Sequence, residues 1–274
     1  MPKKKGKEPK GPSPEELAER EAAAEVAHQA AAITETLKSG SPEQKEEAAY
    51  AFCEGGSLPC YRFCPSEIAS PLPWIPAAIP PLVALLAREC TAKQKENAAT
   101  ALYNLAAMPV NIYNPHEQPI VERIVAAGGV PPLVALVRDG PSEKIRESAA
   151  GALHCCANLH ANRTHIAASG GIPPLLTLAR DGTDAQKELA VMALGALCFK
   201  HVANRVPIVK AGGVELLTEL TKEGTEMQKQ AATYALRNVT VPPPTAEELA
   251  RLKAEAEAAA LAGKKKKKGG KKKK

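Results

Sequence analysis

Gly128-Gly129-Val130-Pro131-Pro132-Leu133 is followed 42 residues later by Gly170-Gly171-Ile172-Pro173-Pro174-Leu175. After a further 42 comes Gly212-Gly213-Val214-Glu215-Leu216-Leu217. A fixed period in the forties marks helical units that cannot bury their apolar faces alone and must stack. Stacked units expose long continuous surfaces, which points to binding rather than to an enclosed catalytic pocket.

Each unit has the same internal order, which residues 162–203 illustrate. Asn162 is placed to cap a short helix running through Asn-Arg-Thr-His-Ile-Ala-Ala-Ser. Gly170-Gly171 supplies the positive φ that a helix stop favours. Pro173 and Pro174 fall in the first turn of a second helix, where a missing N–H costs little. That helix ends at Asp181-Gly182. Thr183 or Asp184 then caps a longer third helix whose apolar residues Leu189, Ala193, Ala196 and Leu197 are spaced by three and four.

The third helix has five traceable copies, beginning at Gln44, Gln94, Ile145, Gln186 and Gln228. The first apolar residues of the second helices, Ile33, Ile79, Val130, Ile172 and Val214, give spacings of 46, 51, 42 and 42.

The Gly-Gly-Ile/Val-Pro-Pro-Leu stretch, the Arg-Asp-Gly turn and the Gln-Lys-Glu-x-Ala-Ala-x-Ala-Leu helix together resemble the armadillo repeat family. The resemblance covers roughly residues 28–240 and is strongest from 120 onward. It implies an all-α, right-handed α-solenoid of about five three-helix repeats, with the third helices lining a concave face. The expected repeats are 13–56, 57–107, 108–160, 161–203 and 204–240, within an armadillo domain over 13–240. Two capping boxes, Ser13-Pro14-Glu15-Glu16 and Thr245-Ala246-Glu247-Glu248, predict flanking helices through about residue 38 and over 241–263. These are candidate caps for the solenoid ends, the second with a free, frayed helix as its alternative. Residues 1–12 and the poly-Lys stretch 264–274 have no means of forming a core and are expected to be disordered.

Charge is distributed unevenly. Residues 28–240 hold nineteen basic and twenty acidic groups, whereas 241–274 hold eleven and four. The net +6 is therefore carried by the C-terminal stretch, and the repeat body gives no reason to expect a nucleic-acid protein. Aromatics are only 3% of the chain, so the core must be built from Ala, Leu, Val and Ile. The seven cysteines are odd in number, several fall within apolar helical patterns, and no apolar leader or membrane-length run appears. These features predict an intracellular protein with reduced thiols, cytoplasmic and/or nuclear.

In importin-type armadillo proteins the third helix carries Trp-x-x-x-Asn, and the Asn side chains hold a peptide backbone. The resemblance aligns Tyr50, Thr100, Gly151, Met192 and Tyr234 with the Trp. It aligns Glu54, Asn104, Cys155, Ala196 and Asn238 with the Asn. No Trp and two Asn are retained, so importin-like cargo capture is not expected. The concave-face candidates are Tyr50, Glu54, Asn104, Met192, Tyr234 and Asn238; Asn104 and Asn238 either grip an extended peptide or brace neighbouring helices. Lys200, His201 and Arg237 add a local basic patch.

The two longer spacings arise from extra residues in 57–76 and 108–119. Both fall at the joint between a third helix and the next second helix, so they are expected on one edge of the stack. They contain four of the nine aromatics, Tyr61, Phe63, Trp74 and Tyr113. These form a candidate partner-binding loop edge, or rings that pin their own loops.

Catalysis lacks a motif: no nucleophile triad, phosphate loop, dinucleotide fingerprint or metalloprotease sequence is present. Cys60-x-x-x-Cys64 with Cys53 has imperfect zinc spacing and no fourth ligand. No metal, cofactor or small-molecule substrate is expected. Lys264, Lys265, Lys266, Lys267, Lys268, Lys271, Lys272, Lys273 and Lys274 have three readings: a targeting signal, a tether to an anionic partner such as nucleic acid or lipid, or a solubilising end. The resulting expectation is a non-enzymatic adaptor or scaffold that binds another protein or peptide segment. A structural subunit of a cytoskeletal or ciliary assembly is the alternative, and a Lys-mediated polyanion tether is the third.

Overall fold

The computed structural model describes residues 13–53, 74–87, 89–107 and 120–240. Among them are thirteen helices and no strand. In chain order these are α1 (Pro14–Ser39), α2 (Pro42–Ala51), α3 (Trp74–Ala84), α4 (Ala92–Ala107), α5 (Ile120–Ala126), α6 (Val130–Asp139), α7 (Glu143–Ala157), α8 (His160–Ala168), α9 (Ile172–Asp181), α10 (Asp184–Cys198), α11 (Val202–Lys210), α12 (Gly213–Glu223) and α13 (Glu226–Thr240). Three complete short–medium–long triads follow one another: α5–α7, α8–α10 and α11–α13. The third helices stack in series, with α4 against α2 and α7, and α10 against α7. Hydrogen bonds join α13 to α10.

The doubled glycine has two separate jobs. Gly128, Gly170 and Gly212 adopt φ of 76°, 74° and 75°, the left-handed stop at the end of each first helix. Gly129, Gly171 and Gly213 are there for space. A Cβ on Gly129 or Gly171 would lie 2.8 Å from Cγ2 of Ile124 or Ile166, and one on Gly213 would lie 2.5 Å from Cγ2 of Ile208. Those three isoleucines are fully buried. The second glycine thus lets the chain turn directly over the anchor of the first helix.

The first two units depart from the triad, and the sequence explains how. Between Pro14 and Ser39 there is no glycine at the break position, so α1 runs unbroken through Ile33 in place of separate first and second helices. In α3, Ala77-Ala78 stands where later units have Gly-Gly. Without a left-handed stop the helix extends back to Trp74, leaving Pro80 and Pro81 inside it. Trp74, expected in a loop, is therefore the first residue of a helix. A further correction concerns Asn162. The short helix starts at His160 with Leu159 at its cap position, and Asn162 lies inside the first turn, 3% exposed. Its side chain serves the preceding helix instead, donating to the Cys156 carbonyl at 3.1 Å.

On the side of each second helix that receives the next unit, Val134 and Val137 in α6 and Leu176 and Ala179 in α9 are buried. The equivalent residues of α12 are Thr218 and Thr221, half-buried, with hydroxyls that donate to the Val214 and Thr218 carbonyls. In the third helices, buried Ala150 and Val191 give way to exposed Thr233. The last described unit is polar where its predecessors are apolar, as a terminal repeat must be. Its first helix is the exception, since α11 exposes Val202, Val206 and Val209.

Candidate functional site

Three glutamines hold the third helices in register. Gln94, Gln186 and Gln228 are each at most 4% exposed. In each, Oε1 accepts the N–H of its own cap residue, Thr91, Thr183 or Thr225. Nε2 then donates to a first-turn carbonyl of the preceding third helix, Pro42, Glu143 or Asp184, at 2.8, 2.8 and 3.1 Å. One amide so completes a capping box and crosses to the next unit. In α7 the position is Ile145, which is fully buried and cannot make this bond. There Ser142 caps α7 through the Ile145 N–H, and its hydroxyl donates to Glu96 of α4 at 2.9 Å. Burial pushes the Glu96 carboxyl up, but hydrogen bonds from Lys93 and Ser142 outweigh it and hold the pKa below the ordinary value. None of these cross-unit roles was legible in the sequence, although the recurring Gln was visible.

A second brace is the Asn-Arg pair that repeats 42 residues apart. Arg163 donates to the carbonyls of Ala157, Asn158 and Phe199, tying the end of α7 to the end of α10. Asn204 donates to Leu197 and Arg163. Apart from that of Arg163, which lies inside α8, these are carbonyls at helix ends that lack an intrahelical partner.

Within that frame the third helices present one face whose side chains vary from unit to unit. At the position aligned with Trp, Tyr50 and Tyr234 are each 44% exposed and Met192 is half-buried. Thr100 is half-buried, with its hydroxyl 2.9 Å from that of Ser148, and Gly151 is buried. At the position aligned with Asn, Cys155 and Ala196 are buried and small. Aromatic groups stand at two ends and the middle is low. The two asparagines act as braces: Asn104 Nδ2 donates to the Cys53 carbonyl at 2.9 Å, and Asn238 Nδ2 to that of Gly195 at 3.1 Å. Both reach back to the preceding third helix.

Neighbouring third helices also trade bulk. The Tyr103 ring lies where a side chain on Gly151 would go, and the Tyr234 ring covers Gly195. Burial raises the Tyr103 pKa, with nearby Cys155, Glu147 and Glu188 adding to it. His154 is held below its ordinary pKa by burial, opposed by a hydrogen bond with the Met192 backbone.

Around Tyr234, α13 forms a shallow cavity of about 360 Å³ lined by Lys229, Gln230, Thr233, Tyr234 and Arg237. Lys200 and His201, grouped with Arg237 in the sequence, are not part of its lining. Lys200 Nζ sits 5.4 Å over the Phe199 ring. His201 precedes α11, with Nε2 3.1 Å from Thr164 Oγ1 and its ring 5.6 Å from that of His160. Burial, then repulsion from His160 and Arg163, holds the His201 pKa down.

Glu54, Tyr61, Phe63, Tyr113, the Cys60/Cys64 pair, the helix expected over 241–263 and the lysines of 264–274 lie outside the described residues. Cys53 Sγ donates to the Asn97 carbonyl at 2.9 Å. Among the described residues no three His, Cys, Asp or Glu side chains are grouped to hold a metal ion. No single helix there is long and apolar enough to cross a membrane.

Residues 118–154, spanning α5, α6 and most of α7, match the armadillo/beta-catenin-like repeat family. That stretch is an armadillo repeat, and the described helices share the armadillo α-solenoid fold. Solved structures agree on the fold. A designed armadillo repeat protein in complex with the peptide (KR)4 is 20% identical, with a TM-score of 0.61, over 83% of this chain and 95% of that one. Computationally designed armadillo repeat proteins for modular peptide recognition give 22% identity and 0.61, over 83% and 94%. An engineered protein gives 23% and 0.62, over 76% and 80%. No curated protein matches the chain in sequence. The α-solenoid expected from the 42-residue period is the fold observed.

Proposed function

We propose that this armadillo solenoid is an adaptor that binds an extended segment of another protein along the exposed face of its third helices. The observation that carries the reading is the paired exposure of Tyr50 and Tyr234, on a face whose intervening positions are Thr100, Gly151, Met192, Cys155 and Ala196. Large aromatic side chains bring much contact area at little entropic cost, which makes them anchors for a bound chain. Small residues between them leave room for a backbone to lie close. The designed armadillo repeat proteins, one in complex with a peptide and others made for modular peptide recognition, support the same use of the fold. Because Asn104 and Asn238 brace the stack, side-chain pockets rather than an asparagine ladder would set the affinity.

Selection of random peptides displayed on phage against the full chain tests this. Binders are expected to lose at least about tenfold in affinity on Tyr234→Ala or Met192→Glu, and to be unaffected by Val206→Ser on α11. Binders insensitive to both third-helix substitutions would refute the proposed face.

A further inference from the structure

We propose that the α13 end of this face is an acidic-segment subsite, binding aspartate, glutamate or phosphorylated side chains of the partner beside Tyr234. The proposal rests on the peptide-binding reading above and adds the chemistry of the ligand.

Equivalent positions along the stack differ in charge at α13. After the leading Gln or Ile, each third helix carries a basic residue: Lys45, Lys95, Arg146, Lys187 and Lys229. In the first four units a glutamate follows, Glu46, Glu96, Glu147 and Glu188, so each pair is neutral. In α13 the glutamate is replaced by Gln230. The earlier glutamates have a structural task. Glu46 accepts from the Thr91 hydroxyl and Glu96 from that of Ser142, each the cap of the following third helix.

Seven residues beyond each glutamate position the chain carries Cys53, Tyr103, His154 and Gly195 in the first four units. In α13 it carries Arg237. The first four units therefore offer no net positive charge at these positions, apart from any protonation of His154. The last offers two cations, and both line the same cavity as Tyr234.

The cations remain accessible. Arg237 is exposed and, among the described residues, has no acidic side chain within ion-pair distance. Lys229 pairs with Glu226 at 3.0 Å, but Glu226 is 82% exposed, so the pair is weak and easily exchanged for a ligand carboxylate. Arg237 can engage a carboxylate or phosphate through two parallel N–H bonds. Tyr234 supplies an apolar wall, while Gln230 and Thr233 offer neutral polar contacts. This is the opposite of what the basic peptide (KR)4, seen with the designed protein, would need.

The full chain is screened against the random peptide library, and enriched peptides are titrated at low and physiological ionic strength. The proposal expects enrichment in aspartate and glutamate. It also expects a loss of about tenfold or more on Arg237→Glu, a smaller loss on Gln230→Glu, and affinity that weakens with salt. Circular dichroism verifies that each variant folds; Gln230→Glu only restores the residue type of the other units. Enriched peptides that are neutral or basic, yet still sensitive to Tyr234→Ala, would overturn the acidic subsite and leave the peptide-binding function standing. Acidic peptides indifferent to Arg237→Glu but lost on deleting 264–274 would overturn it in favour of the lysine stretch. Nucleic acid competing better than any acidic peptide would also overturn it. If no peptide binds, the proposed function falls, and the subsite with it.

Discussion

The ring of Tyr234 occupies the place of the side chain that Gly195 lacks. A Cβ built on Gly195 would lie 2.9 Å from Tyr234 Cδ1, and Tyr103 covers Gly151 in the same manner at 2.7 Å. Within a helix, glycine to alanine normally gains up to about 1 kcal/mol. Here the gain is opposed by overpacking against a rigid ring, which costs about 1–3 kcal/mol. Gly151→Ala is expected to lower the urea midpoint. In a double-mutant cycle, Tyr103→Ala should remove that penalty. Additive effects would contradict the packing relationship.

The glutamine stitches make a graded prediction. Gln186→Ala removes a cap bond and a cross-unit bond, and leaves the N–H of Thr183 and the carbonyl of Glu143 without that partner. A destabilisation of about 1–3 kcal/mol is expected by chemical denaturation. Gln186→Glu keeps the cap acceptor but sets a buried carboxylate oxygen against the Glu143 carbonyl, so it should destabilise at least as much as alanine near neutral pH.

Two histidines lose pKa on folding, and the sign follows directly. His154 and His201 sit below 6.5 in the fold, while the unfolded chain binds protons at about the ordinary value. Stability from these groups is complete above about pH 6.5 and falls as pH drops toward their folded pKa values, where the unfolded state binds more protons. Urea midpoints measured from pH 7.5 to 5 should therefore decline. His154→Gln should flatten the decline, and a slope unchanged in the His154→Gln/His201→Gln double variant would show that other groups govern it.

Thiol chemistry gives an independent check on burial. Burial pushes Cys155 up to about 11 and Cys156 and Cys198 up to about 12, with Cys155 adding to Cys156. The thiolate is the nucleophile, so these three should resist alkylation in the native state and react on denaturation. Peptide mass mapping after iodoacetamide treatment reads this at each site. Native labelling of Cys156 at the denatured rate would contradict the packing of α7.

The repeat, the start of α10 and the purpose of Gly170 were legible because each depends on short-range rules: a left-handed stop, a proline in the first turn, a capping threonine at Thr183. What the sequence concealed was long-range. Gln186 was visible only as the recurring start of a third helix, yet its amide is buried between units. Asn162 looked like a cap for its own helix but serves the one before. Asn104 and Asn238 admitted two readings, and only the position of the preceding carbonyl shows how their amides are used. Trp74 was placed in a loop because it falls within the extra residues 57–76; Ala77-Ala78 lacks the glycine that would have stopped the helix.

The central claim is that a partner segment lies along the third helices. Amide chemical-shift mapping of the full chain with a selected peptide tests it most directly. The account predicts shifts concentrated at Tyr50, Met192 and Tyr234 and their helical neighbours on α2, α10 and α13. Shifts confined to the exposed valines of α11, Val202, Val206 and Val209, with the third helices unperturbed, would contradict it.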